Sequence, residues 1–159
     1  MRFKAFYNSI IALLAVLCFT FLAGCGQKKA VSIDVSKLAD ELKNTVQFSD
    51  SMEEISEAAF ANKYNIDASD IAVKKVYVGS GATAEEIAVF EAKDEEAAGR
   101  IMTAVNSHIE EQIHEYTNYS PDELKKLSDP VKIQTGKYVI LCISDHNDTA
   151  EACINKYTK

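Results

Sequence analysis

The stretch YVILCIS, Tyr138 to Ser144, is apolar at successive positions instead of alternate ones. A strand covered on one face alternates, whereas one covered on both faces reads as a continuous apolar run, so this segment predicts a central, doubly covered strand. Just before it, Val131, Ile133 and Thr135 do alternate, and Thr135-Gly136 supplies a tight turn, which makes the two segments a hairpin. An earlier pair, IAVKKVYV (Ile71 to Val78) and EIAVFEA (Glu86 to Ala92), flanks the loop GSGAT and reads as a second hairpin. Thr83 and Glu86 would also fit a helix start. The alternation of Ile87 and Val89 against Ala88, Phe90 and Ala92 decides for a strand.

Helical spacing accounts for the rest. Val35, Leu38, Ala39, Leu42 and Val46 form one stripe, and Ser51-Met52-Glu53-Glu54 fits a capping box that would start a second helix running to about Asn62. After Asp94 the pattern is helical for some two dozen residues, with Ala98, Ile101, Met102, Val105, Ile109, Ile113 and Tyr116 on one arc. Ser120-Pro121-Asp122-Glu123 predicts a short helix to about Leu127, and Asp148 is expected to cap a last helix that turns Ala150, Cys153, Ile154 and Tyr157 inward. The class is therefore α+β: N-terminal helices, then an antiparallel sheet of about four strands in two hairpins, each followed by helix.

The N-terminus carries a different signal. Arg2 and Lys4 precede the apolar run Ile10 to Leu22, which is interrupted only by Cys18 and Thr20. A basic start and a core shorter than the roughly 20 residues of a membrane span fit an export signal. At its end Leu22-Ala23-Gly24-Cys25 resembles the lipobox of bacterial lipoproteins. That resemblance implies cleavage before Cys25 and a diacylglyceryl group on its sulfur, and several acyl chains on one residue suffice for stable anchoring. The expected organisation is a signal peptide over residues 1–24, a lipidated N-terminus and short tether over 25–33, and one domain over 34–159. Gly26 to Ser32, fully extended, reaches only about 25 Å, so the domain is expected close to the bilayer.

Without residues 1–24 the chain keeps 15 basic and 24 acidic side chains, a net charge of −9. Such a surface repels phosphate backbones, so no nucleic-acid partner is expected. It would also resist lying on anionic lipids, leaving the acyl chains on Cys25 as the membrane attachment.

SGATAEEIAVFEAKDEEAA, the SPDEL helix start and the terminal GKYVILCISD followed by a helix resemble an uncharacterised family of small lipoproteins from Gram-positive anaerobes, a domain of unknown function. The resemblance implies the same fold and envelope location. It supplies no catalytic residues.

Candidate chemistry is sparse. Glu111 and His114 have the Glu-x-x-His spacing of di-iron bundles, with His108 nearby, but the further ligating pairs are missing, and His114 falls about 180° from Val105 on the wheel, toward solvent. Asp67 to Asp70 lacks the Gly and distal Glu of a calcium loop, and Gly79-Ser80-Gly81 lacks the Lys of a phosphate loop. Asp145, His146 and Asp148, gathered after the central strand, are the remaining candidate ligands, although a helix cap and a polar turn explain them as well. No metal and no cofactor are expected. No serine stands in a Gly-x-Ser-x-Gly elbow, and Cys142, mid-strand, would be inert. Cys142 and Cys153 are expected as buried thiols, a disulfide between them being the alternative.

The sequence thus points to a membrane-anchored, extracytoplasmic lipoprotein that is not an enzyme but a binding or accessory module of the cell envelope. Its partner would be another envelope protein or a surface polymer. The alternatives are a small-molecule or metal receptor and, third, a hydrolase with an unrecognised site.

Overall fold

Alternation along Glu86–Ala92 sends Ile87 and Val89 to one side of a sheet and Ala88 and Phe90 to the other, and all four are fully buried. That pattern requires cover on both faces. The computed structural model describes residues 31–159. In it five strands, β1 (Glu53–Glu54), β2 (Ile71–Val78), β3 (Glu86–Ala92), β4 (Val131–Thr135) and β5 (Tyr138–Ile143), lie in the order β1-β2-β3-β5-β4. Every neighbouring pair is antiparallel. The two hairpins read from the sequence are β2-β3 and β4-β5, and β3 pairs with β5 to join them.

Helices α1 (Val35–Thr45) and α5 (Asn147–Thr158) cover the face carrying Ile87, Val89, Ile140 and Cys142. The opposite face, with Ala88, Phe90, Val139 and Leu141, is covered by α2 (Glu57–Lys63), the long α3 (Glu95–Tyr119) and α4 (Leu124–Ser128). The fold is α+β, with β3 in the middle and β5, buried at all six positions, beside it. Asp94 caps α3 through a bond from the Ala97 amide at 2.8 Å. Gly136 makes the β4-β5 turn at φ +52°, a conformation that a side chain disfavours.

The structure departs from the sequence reading at local signals. Ser51 does not start a helix: its hydroxyl donates to Glu53, and Glu53–Glu54 form β1 against Val78 and Tyr77. Ser56 is the cap of α2, accepting from the Ala59 amide. Pairing on an open sheet edge here outweighs a local capping motif. Pro121–Glu123 form a 3-10 turn before α4, and Ser120 makes no side-chain cap. Asp148 is not the cap of α5 either; it stands in the first turn, where its charge suits the positive end of the helix, while His146 takes the cap position with no side-chain bond. On α3 the buried stripe swings from Ile113, which is 37 % exposed, to His108 and Gln112, because a carboxylate on the sheet takes their polar ends. Cys142 points to the α1/α5 face, in the same core cluster as Cys153, and both are buried free thiols.

β1 pairs only with Tyr77 and Val78, and the last bond along this edge runs from the Ile55 amide to the Val76 carbonyl at 3.2 Å. From Ile71 to Lys75 the outer side of β2 has no strand partner among the described residues. A register shift falls between Ile71 and Val73. Among the described residues, no helix is long and apolar enough to cross a membrane. The expected signal peptide over 1–24, the lipobox Leu22, Ala23, Gly24 and Cys25, and most of the tether lie outside the described residues.

Candidate functional site

Glu86 opens β3 with its side chain on the α3 face and no exposed surface. An ionised carboxylate there needs donors from every neighbouring element. α2 ends at Lys63 and presents Lys63 and Tyr64, while α3 presents His108 and Gln112 one turn apart. The Tyr64 hydroxyl donates to Glu86 Oε1. Glu86 Oε2 is 3.0 Å from His108 Nε2, 3.0 Å from Gln112 Nε2 and 3.3 Å from Lys63 Nζ. The Tyr64 and His108 rings pack with centroids 4.4 Å apart. Burial by itself would raise the Glu86 carboxyl, but His108, Lys63 and Tyr64 together outweigh it and hold the group below the usual carboxylate range. Burial, then the Glu86 charge, drives the Tyr64 phenol well above its ordinary value, so it stays a donor.

Two members of this cluster, Lys63 and His108, also line a groove of about 360 Å³ between the end of α2 and the outer side of α3, with Asn65, Arg100, Thr103 and Ser107 around them and Glu111 at its rim. Arg100 is clamped by both oxygens of Asp70, at 2.8 and 2.6 Å. His108 Nε2 faces inward, and Gln112 Nε2 stands 2.9 Å from it. Gln112 Oε1, sealed from solvent, has no hydrogen-bond partner among the described residues.

Glu85, one residue earlier, lies in a second polar knot. Its carboxylate accepts from the Ser49 amide at 2.9 Å and the Asp50 amide at 3.0 Å, and Lys126 Nζ lies 3.2 Å away. Lys126 also holds Glu123 at 3.0 Å and Asp145 at 3.6 Å, and Glu123 accepts from the Ala84 amide. The Asp50 carboxylate bonds the Ser80 amide and hydroxyl, and the Tyr116 hydroxyl donates to the carbonyls of Gly81 and Thr83. The glycine loop between β2 and β3 is thereby fastened at both ends. A Cβ on Gly79 would stand 2.8 Å from Thr83 Oγ1, which is why a glycine is needed there.

The sequence-derived candidates are dispersed. Asp145 is a partner of Lys126 and, at 3.8 Å, of Lys125, while His146 and Asp148 are exposed at the start of α5. Glu111 and His114 are exposed, as the helical wheel requires. Asp67 caps the 3-10 turn Ala68–Asp70, whose last residue holds Arg100. Among the described residues no three His, Cys, Asp or Glu side chains are placed to hold a metal ion.

A profile of the DUF4358 family, described as a domain of unknown function, matches residues 44–144. The chain belongs to this family. The DUF4358 match contains every member of the Glu86 cluster and, in the second knot, Glu85 and Lys126, whereas Asp145, His146 and Asp148 fall beyond it. Comparison with curated proteins and with solved structures gives no match.

Sequence reasoning names Glu86 only as a possible helix start and His108 only beside the Glu-x-x-His spacing, and it does not join them with Gln112. A signal for them exists: His108, Gln112 and Tyr116 recur every four residues along the flank of the Val105 and Ile109 stripe. A polar row inside an apolar arc implies a polar partner on the facing sheet, and Glu86 is the residue of β3 that meets it.

Proposed function

We propose that the protein is a membrane-anchored, extracytoplasmic lipoprotein that acts as a non-enzymatic binding or accessory module of the cell envelope. The observation that carries the anchoring is the run Leu22-Ala23-Gly24-Cys25 at the end of an apolar core. The binding role is supported by the chemistry of the buried groups. His108 is engaged by a carboxylate and an amide, with no hydrogen bond to a Ser, Thr or Cys hydroxyl or thiol among the described residues. Burial pushes the Cys142 thiol up to about 12, which keeps it protonated and unreactive. Among the described residues, neither His108 nor Cys142 is therefore part of a nucleophile activated by a base. The polar groove beside Lys63 and His108 favours, within this reading, a small or extended ligand over a flat protein surface.

Replacing Cys25 with Ala should abolish incorporation of labelled fatty acid and leave the precursor unprocessed. Persistent label in Cys25→Ala would overturn the anchoring. For the binding role, crosslinking in intact cells followed by pull-down should recover an envelope component with the wild-type chain. Turnover of any envelope substrate by the purified protein would refute it.

A further inference from the structure

Glu86 and Gln112 make opposite demands on one imidazole nitrogen. The carboxylate oxygen, 3.0 Å from His108 Nε2, calls for a proton on it, while the amide nitrogen, 2.9 Å away, calls for a lone pair. A hydrogen bond to an ionised carboxylate is roughly twice as strong as one between neutral groups. A buried carboxylate deprived of a donor is also penalised more than an amide. The proton therefore resides on Nε2, and Gln112 is the partner left with an unsatisfied oxygen. With the imidazole neutral, Nδ1 then carries the lone pair. It has no hydrogen-bond partner among the described residues, and His108 is one of the side chains that line the groove.

The groove selects what can meet that lone pair. Its lining carries both signs, Lys63 and Arg100 beside Glu111, and the two cations are already held by Glu86 and Asp70, so neither an anion nor an ammonium meets an unopposed partner charge there. A hydroxyl satisfies both sides. It donates to Nδ1, while its oxygen accepts from the Ser107 hydroxyl or the Asn65 amide. A volume of about 360 Å³ lies within the range of small-molecule sites. We propose that the groove between α2 and α3 binds a neutral polyhydroxylated ligand, a sugar unit, with His108 Nδ1 as the accepting atom and Glu86 as the positioning residue that fixes its tautomer. This rests on the binding-module reading and gives it a site and a ligand class.

The test uses the full-length lipidated chain in detergent micelles with ¹⁵N-labelled imidazoles, titrated with triacetylchitotriose as a neutral sugar, and separately with inorganic phosphate and zinc. Before addition, His108 should show the Nε2–H tautomer. The sugar should shift its Nδ1 resonance saturably, and phosphate and zinc should not. Ser107→Ala, at an exposed position that leaves the core intact, should weaken sugar binding about fivefold, the loss of one hydrogen bond. Glu86→Gln should weaken it and also convert part of the His108 signal to the other tautomer, which loss of packing alone would not do. A resting Nδ1–H tautomer, no saturable shift with the sugar, or an equal response to phosphate or zinc would overturn the inference. Loss of sugar binding alongside intact partner capture in cells would sink this inference and leave the module reading standing.

Discussion

Glu85 and Glu86 are consecutive, both are buried, and they are held by opposite means. Glu85 is held by one lysine, the Thr83 hydroxyl and two backbone amides, all within a knot that ties the Ser49–Asp50 loop, α4 and the end of β5 together. Glu86 is held by four side chains, two of which continue to a groove. Backbone donors fix a carboxylate permanently, because they can neither titrate nor swing away. Side-chain donors can do both, at the cost of less certain satisfaction, and the unbonded oxygen of Gln112 is where that cost appears. The first arrangement suits a fastening and the second suits a site.

The contrast is most exposed at Lys126. Lys126→Met leaves the buried Glu85 and the part-buried Glu123 without their cation, and loss of one partner from a buried pair typically costs about 3 kcal/mol or more. The two amides on Glu85 remain, so we expect about 3 kcal/mol in denaturant unfolding, with no change in the His108 resonances. A shift of those resonances would show that the two knots are coupled. Glu86→Gln should cost less, about 2 kcal/mol, since the one amide oxygen still accepts from either Tyr64 or His108 while the other position becomes an uncharged NH2. It should also change the acid limb. A carboxyl lowered from 4.5 on folding contributes stability that is present above 4.5 and is lost as pH falls through the folded-state value. Wild type should therefore lose its advantage over Glu86→Gln between pH 5 and lower pH, and a gap constant with pH would contradict the ionised, side-chain-held Glu86. The smallest effect is expected for Tyr64→Phe, about 1 kcal/mol, because it removes one of four donors and keeps the ring against His108 and Phe90. A loss as large as that of Lys126→Met would mean that the phenol carries the site alone.

The strands and the long helix are legible in the sequence because their burial is written over many residues. Tyr138–Ile143 is apolar throughout, and α3 repeats its stripe over seven turns. β1 is not legible: two glutamates pair with β2 only because Tyr77 and Val78 offer a free edge, and nothing in Ser51–Glu54 encodes that. The Ser120 and Asp148 positions mislead for a related reason, since local capping motifs are worth about 1 kcal/mol and packing of the following residues sets where a helix begins. Glu86 and His108 escape because the pair lies 22 residues apart and each looks unremarkable alone. The alternation that assigns Glu86 to the α3 face, combined with the polar row on α3, contains the contact, but only once the sheet is assembled.

The open side of β2 has a consequence for how crowded molecules would treat one another. A bare strand edge is a template for another chain, and runaway sheet extension is the first step of aggregation. Here the unpaired stretch Ile71–Lys75 is broken by a shift of register and carries Lys74 and Lys75, whose ammonium groups are held at the edge by Glu57 and Glu54. A second copy approaching edge to edge would have to displace those ion pairs, set lysine near lysine and match an irregular register. The interruption on the β2 side thus works to keep neighbouring copies separate along that edge.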